Sequence, residues 1–246
     1  MNITQINEDN ITGFFVKEGT DYGMDADGNQ AKGYQHHDGL WWSGGETPET
    51  PSEYYKNNRT SITQQFSHMF SVIARNIIDT YNPSTVLELG SGSGQLAYEL
   101  RKWKPDITTA TVDANQTVKE KSPFIDNNHF LARTDRELDF VDDNGDTVLF
   151  DLVVSLEHFE HVPPETFGAL MKNVVEHSKD GTKLICTVAD WNYEESHQKH
   201  VHCNIKSYAE WKEYIESFGF YLNERPFEIK RGGDSSEIFA TKGEYL

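Results

Sequence analysis

Residues Val86-Leu87-Glu88-Leu89-Gly90-Ser91-Gly92-Ser93-Gly94 join an apolar run to three glycines at alternate positions. Without a Cβ, glycine lets a chain turn sharply out of a strand and bring its backbone N–H groups against a ligand. Gly92-Ser93-Gly94-Gln95-Leu96-Ala97 also fits the G-x-G-x-x-A spacing of a dinucleotide loop, so a nicotinamide or flavin ligand belongs among the readings. Two observations weigh against it. Glu88 stands two residues before Gly90, where a carboxylate has the wrong sign for a pyrophosphate but suits an ammonium group. A long helical stretch precedes this strand, whereas a dinucleotide fold normally starts at or near it. Asp113, about twenty residues further on, serves either reading, because a carboxylate there accepts hydrogen bonds from ribose hydroxyls.

A second polar group follows the apolar run Asp151–Leu156: Glu157-His158-Phe159-Glu160-His161-Val162. Ligands of parallel sheets bind beyond the carboxyl ends of the strands, so these side chains are expected where a substrate meets a cofactor. Two carboxylates and an imidazole can supply a general base for a hydroxyl nucleophile, or hold a divalent cation such as magnesium that lowers the hydroxyl's pKa. Glu157, Glu160 and His161 are therefore both the catalytic and the metal-ligating candidates, and the residue types leave the two roles open. His197, His200, His202 and Cys203 form a further cluster. His202 is the member expected to complete the site, while His197 and His200 read as solvated loop residues.

These loops need elements to hold them. Ile62, Phe66, Met69, Phe70, Ile73 and Ile77 recur every three or four residues, the period of an amphipathic helix, and Asn82-Pro83 ends it. Strand-like runs at 86–89, 107–112, 130–132, 149–155 and 184–188 then alternate with helical stretches at about 94–103, 115 onward, 165–177 and 207–218. Such alternation predicts a parallel sheet with helices on both faces. The segments 220–224 and 237–241 flank Arg231-Gly232-Gly233-Asp234 and read as an antiparallel pair closing the sheet. Residues 1–58 are rich in glycine, turn signals such as Asp38-Gly39, and aromatics. They are predicted to form a loop-rich cap packed on a main domain at 59–246.

The segment 88–94 resembles motif I of the class I S-adenosylmethionine-dependent methyltransferases, and Thr111-Val112-Asp113-Ala114 resembles their next acidic motif. The resemblance spans roughly residues 60–241. It implies a Rossmann-like α/β fold: a seven-stranded, mostly parallel sheet with a reversed final hairpin. It further implies S-adenosylmethionine as cofactor, with Glu88, Gly90, Ser91, Gly92, Gly94 and Gln95 at the methionine end, Asp113 and Ala114 at the ribose, and Asp135 or Thr134 at the adenine. Leu156-Glu157-x-x-Glu160-His161-Val162 resembles motif IV of the group related to the ubiquinone-biosynthesis O-methyltransferases, placing Leu156 beside the cofactor. In that group, and in small-RNA 2′-O-methyltransferases, the Glu-x-x-Glu-His pattern is associated with a divalent metal. His202-x-Asn204 followed by a helix start is similar to a segment that borders the acceptor in small-molecule methyltransferases. The expected reaction is methyl transfer to an oxygen, less readily a nitrogen, of a small-molecule or glycan-like acceptor. Metal-assisted RNA methylation and a non-catalytic scaffold on the same fold are the alternatives.

Charge narrows the partners. A formal net charge of −18 over 246 residues repels a phosphate backbone and argues against a large nucleic-acid footprint. No run of about 18 uncharged apolar residues is present, so membrane insertion is not expected. Two cysteines, Cys186 and Cys203, suit a reducing compartment without a disulfide framework, and the expected location is the cytoplasm.

Overall fold

Short apolar runs buried on both faces of a sheet, with helices to cover them, organise the chain. The computed structural model describes residues 1–5, 34–37, 40–43, 67–114, 122–189, 204–229 and 235–243. In chain order the strands are β1 (Thr4–Gln5), β2 (Tyr34–His37), β3 (Leu40–Ser43), β4 (Thr85–Leu89), β5 (Thr108–Asp113), β6 (His129–Leu131), β7 (Phe140–Val141), β8 (Phe150–Leu156), β9 (Ser178–Ala189), β10 (Phe220–Leu222) and β11 (Ser235–Lys242). The helices are α1 (Ser67–Tyr81), α2 (Gln95–Trp103), α3 (Pro164–Glu176) and α4 (Tyr208–Glu216), with a 3₁₀ turn at Phe159–His161.

Seven strands form one sheet in the order β10-β11-β9-β8-β4-β5-β6. The five from β9 to β6 are parallel, and β11 enters antiparallel between β9 and β10. Two core clusters line its faces. Val86, Leu152, Val154, Ile185 and Phe239 point to one, which is covered by Ile73, Ala74 and Ile77 of α1 and Leu96 and Leu100 of α2. The intervening Leu87, Val153, Leu184, Cys186, Ile238 and Ala240 point to the other, covered by Phe167, Leu170, Met171 and Val174 of α3 and Trp211 and Ile215 of α4. Side chains alternate across a strand, so adjacent residues of one apolar run serve opposite cores. This is the fold expected from the alternating pattern, reversed final hairpin included.

The topology also fixes where a ligand sits. From β4 the chain steps outward to β5 and β6, then returns to place β8 on β4's other side. The carboxyl ends of β4 and β8 thus flank a topological switch point, the usual crevice of open α/β sheets.

Two local features add to this pattern. Asp180-Gly181, a turn signal ahead of the expected strand at 184–188, does not begin a new strand. β9 runs through it with a register irregularity against β8, Phe150 facing Ser178 and Leu152 facing Lys183, while Gly181 takes φ +83. Between the runs expected at 130–132 and 149–155, Phe140–Val141 forms β7, which pairs with β1. Ile3, beside β1, is buried in the same core cluster as α3 and α4. The cap expected over 1–58 lies almost wholly outside the described residues, as do the helical stretch from 115, residues 61–66 and the His197–Cys203 cluster. Within it, β2 and β3 pair as a hairpin with His37 opposite Leu40, leaving two residues between them at the Asp38-Gly39 signal. No helix of the described residues is long and apolar enough to cross a membrane.

Candidate active site at the sheet switch point

The chain leaves β4 through three left-handed glycines, Gly90 (φ +66), Gly92 (φ +51) and Gly94 (φ +76), before α2 starts at Gln95. L residues with a Cβ are strained at such angles, which is why glycine recurs here. The loop is tied down from β5: Ser91 N–H donates to the Val112 carbonyl (3.0 Å), and Gly92 N–H donates to Asp113 Oδ2 (2.8 Å). Ser122 Oγ adds a bond to the Ser93 carbonyl (2.6 Å). A Cβ built on Gly92 would meet nothing within 4 Å, and Ser91 Oγ is buried without a partner among the described residues. Open space at Gly92, an unsatisfied hydroxyl and a carboxylate held at the rim are a polar lining suited to a ribose-bearing ligand.

Glu88 faces the α2 side of the sheet. It is 4% exposed, and its Oε2 accepts from Ala97 N–H (3.3 Å). Gly94 offers α2 no side-chain cap. A helix start leaves its first N–H groups unsatisfied at the positive end of the dipole, so the carboxylate from β4 serves as a cap from a distance. The positive partner expected for Glu88 from its sign is thus met, at least in part, by the start of a helix. Gln95 and Leu156 are buried at the loop, and Ala114 is half-buried after Asp113.

Asp135, expected near the adenine, binds Arg133 through both oxygens (2.7 and 2.6 Å) and also accepts from Thr166 Oγ1 (2.7 Å). Burial alone would raise its carboxyl. The hydrogen bond and charge of Arg133, the Thr166 hydroxyl and the Arg136 charge instead hold it below the ordinary value. Beside it, Thr134 Oγ1 lies 2.7 Å from His158 Nε2.

His158 is a site residue that the sequence does not single out, standing as it does at a variable position within Glu-x-x-Glu-His. Its ring rests on Gly90, where a built Cβ would come within 2.2 Å of the imidazole Cγ. Burial pushes the imidazole down to about 4, against a smaller upward pull from Asp135. The ring is therefore neutral at pH 7. An unfolded histidine takes a proton near pH 6.5 while the folded one resists to about 4, so stability falls as pH drops through that window. About 2 kcal/mol is expected to be lost between pH 7.5 and about pH 5. Urea unfolding across that range should show a flatter profile for His158→Gln. Parallel profiles would show that the ring titrates normally.

Glu157 follows β8 with φ +52, a left-handed conformation uncommon for a non-glycine residue. Its N–H donates to the Thr187 carbonyl and Oγ1 (3.0 Å each), and its Oε2 accepts from Ser235 Oγ (2.9 Å). Oε1 is buried with no partner among the described residues. Glu160 is fully buried in the 3₁₀ turn, and its Oε1 accepts from Ala189 N–H (3.3 Å). Its charge adds to burial in raising the Cys186 thiol. His161 closes the turn, its N–H donating to the His158 carbonyl (2.9 Å). Asn204 ties the turn to the start of α4, donating from N–H to the Glu160 carbonyl (3.0 Å).

The metal site expected at Glu157, Glu160 and His161 does not form. Among the described residues no three His, Cys, Asp or Glu side chains gather to hold an ion. The reason is local: a left-handed residue precedes a tight turn, so Glu157 is turned to Ser235 while Glu160 is turned inward to β9. The donor set does not fit the ion. His202 lies outside the described residues.

A family model described as a methyltransferase domain matches residues 62–224. No curated protein sequence matches the chain. Among solved structures, an O-methyltransferase family protein from Burkholderia thailandensis matches with a TM-score of 0.57 at 11% identity, covering 80% of this chain and 61% of its own. Human N-acetylserotonin methyltransferase in complex with SAM matches at 0.51 and 17% identity, covering 80% and 60%. A SAM dependent methyltransferase from Archaeoglobus fulgidus matches at 0.55 and 16%, covering 77% of this chain and 100% of its own. The chain thus spans about three fifths of the length of the first two. At such identities the likeness is one of fold.

Proposed function

This chain belongs to the methyltransferase-domain family, and we propose that it moves the methyl group of S-adenosylmethionine to an oxygen of a small-molecule acceptor. The observation that carries this reading is the bond of Gly92 N–H to Asp113 beside an open glycine turn at the carboxyl end of β4, whose neighbour β8 runs into Glu157. Ser91 and the backbone of residues 90–94 would hold the methionine end, Asp113 the ribose, and Asp135 the adenine side. The bound sulfonium supplies an already activated methyl group.

What remains for the chain is to align an acceptor in line, exclude water and handle one proton. Glu157 is suited to the proton, since its Oε1, which has no partner among the described residues, can accept the acceptor's hydroxyl hydrogen while Ser235 holds the other oxygen. His161, on the turn shortly after it, is the second acceptor-side group. Glu160 supports both from within, bonded to Ala189 and, through its carbonyl, to Asn204. The residues that precede the domain are proposed to cover the acceptor pocket.

Transfer of a labelled methyl from S-adenosylmethionine into a small-molecule fraction of cell extract tests the reaction, and an unchanged yield in EDTA is expected. In calorimetry the Asp113→Ala variant should bind S-adenosylhomocysteine about 10- to 30-fold more weakly, as loss of a charge-assisted hydrogen-bonding group would cause. A wild-type protein that binds neither form of the cofactor would sink the proposal.

A further inference from the structure

We propose that His158 and Thr134 form a positioning strut that sets the backbone of the glycine loop for its ligand, a role that rests on the cofactor reading of that loop. Three loops leave the carboxyl side of the sheet after β4, β6 and β8, and the strut joins them at one place. Thr134, 5% exposed, comes from the loop after β6, and its hydroxyl meets His158 Nε2 at 2.7 Å. His158 comes from the loop after β8, and its ring lies against Gly90 of the loop after β4.

The far end of the strut is anchored to α3. Asn173, 2% exposed, donates from Nδ2 to the carbonyls of Thr134 (2.9 Å) and Arg136 (2.5 Å), and its Oδ1 accepts from Leu138 N–H (3.1 Å). One helix residue thereby satisfies the backbone of the loop at three points. Thr166 of the same helix takes a fourth through Asp135, which Arg133 grips from the other side. Thr134 is consequently held from behind, and the imidazole it orients fills the space a side chain at Gly90 would need. With the ring fixed, Gly90 stays at φ +66, and the following amides of Ser91 and Gly92 keep their direction toward Val112 and Asp113. His158 acts through Gly90 and does not touch reacting atoms.

Coupling is the signature of a strut. His158→Leu and Thr134→Val should each weaken S-adenosylhomocysteine binding, by about tenfold and about fivefold, and the double variant should bind no worse than about tenfold below wild type. Glutamine at 158 places an amide nitrogen near the position of Nε2, so His158→Gln should stay within about threefold of wild type. Thr134→Val is nearly isosteric and keeps the test open if the leucine variant does not fold. Losses that multiply in the double variant, or a folded Thr134→Val with unchanged affinity, would overturn the strut alone. A wild-type protein with no affinity for S-adenosylhomocysteine would overturn the cofactor reading and the strut with it.

Discussion

Replacing Glu157 by glutamine is expected to lower methyl transfer by about 10²-fold or more, while S-adenosylhomocysteine affinity stays within about threefold of wild type. Glutamine keeps the shape of the side chain and an oxygen for the Ser235 hydroxyl, but it offers an amide where Glu157 has its unpartnered Oε1. A buried carboxylate oxygen with no donor among the described residues costs on the order of 1–3 kcal/mol, and a left-handed glutamate adds backbone strain. Both costs fall on one residue, at the end of the strand beside the glycine cradle. Strain of this kind persists when function requires it, and its relief tends to stabilise the fold. Asparagine tolerates the left-handed region better than glutamate, so Glu157→Asn should be at least as stable as wild type in thermal unfolding and equally inactive. A Glu157→Gln enzyme with full turnover, or one that loses several kcal/mol of stability, would assign Glu157 to structure instead.

The contrast between Glu157 and Glu160 also shows where sequence reading stops. The strand and helix order was legible because strands buried on both faces read as short apolar runs and amphipathic helices as a period of three to four, and the reversed hairpin followed from the turn residues between 220 and 241. The glycine loop and Asp113 were legible for a similar reason, since backbone conformation and strand-end position constrain residue type directly. Side-chain direction after an irregular turn writes no such period. Glu157, Glu160 and His161 group in the sequence by following one strand end, yet Glu157, at φ +52, bonds Ser235 while Glu160 bonds Ala189. His158, Asn173 and the Glu88–Ala97 bond were not legible because each depends on a partner at least nine residues away in sequence. A buried asparagine on the apolar face of α3 is the one signal that was available, as such a side chain must find partners.

Gly90→Ala is expected to destabilise the protein by about 3–4 kcal/mol and to remove measurable S-adenosylhomocysteine binding. Two costs add. A left-handed alanine loses roughly 1–2 kcal/mol against glycine, and its methyl would lie 2.2, 2.4 and 2.7 Å from Cγ, Nδ1 and Cδ2 of His158. A half-buried ring packed on Gly90 and bonded to Thr134 cannot swing aside freely, so overpacking contributes on the order of a further 1–3 kcal/mol. For a chain of this size, each kcal/mol lowers the melting temperature by roughly 2–4 °C, so a fall of about 10 °C is expected. Gly92→Ala separates the two costs. It has the same backbone handedness at φ +51 but nothing within 4 Å of the new methyl, so it should lose only about 1–2 kcal/mol. Its affinity should fall all the same, because the methyl projects into the open cradle. Adding His158→Ala to Gly90→Ala should restore part of the melting temperature. If the two losses simply add, the obstruction at Gly90 is not the imidazole, and the ring does not bear on the loop that would hold the cofactor.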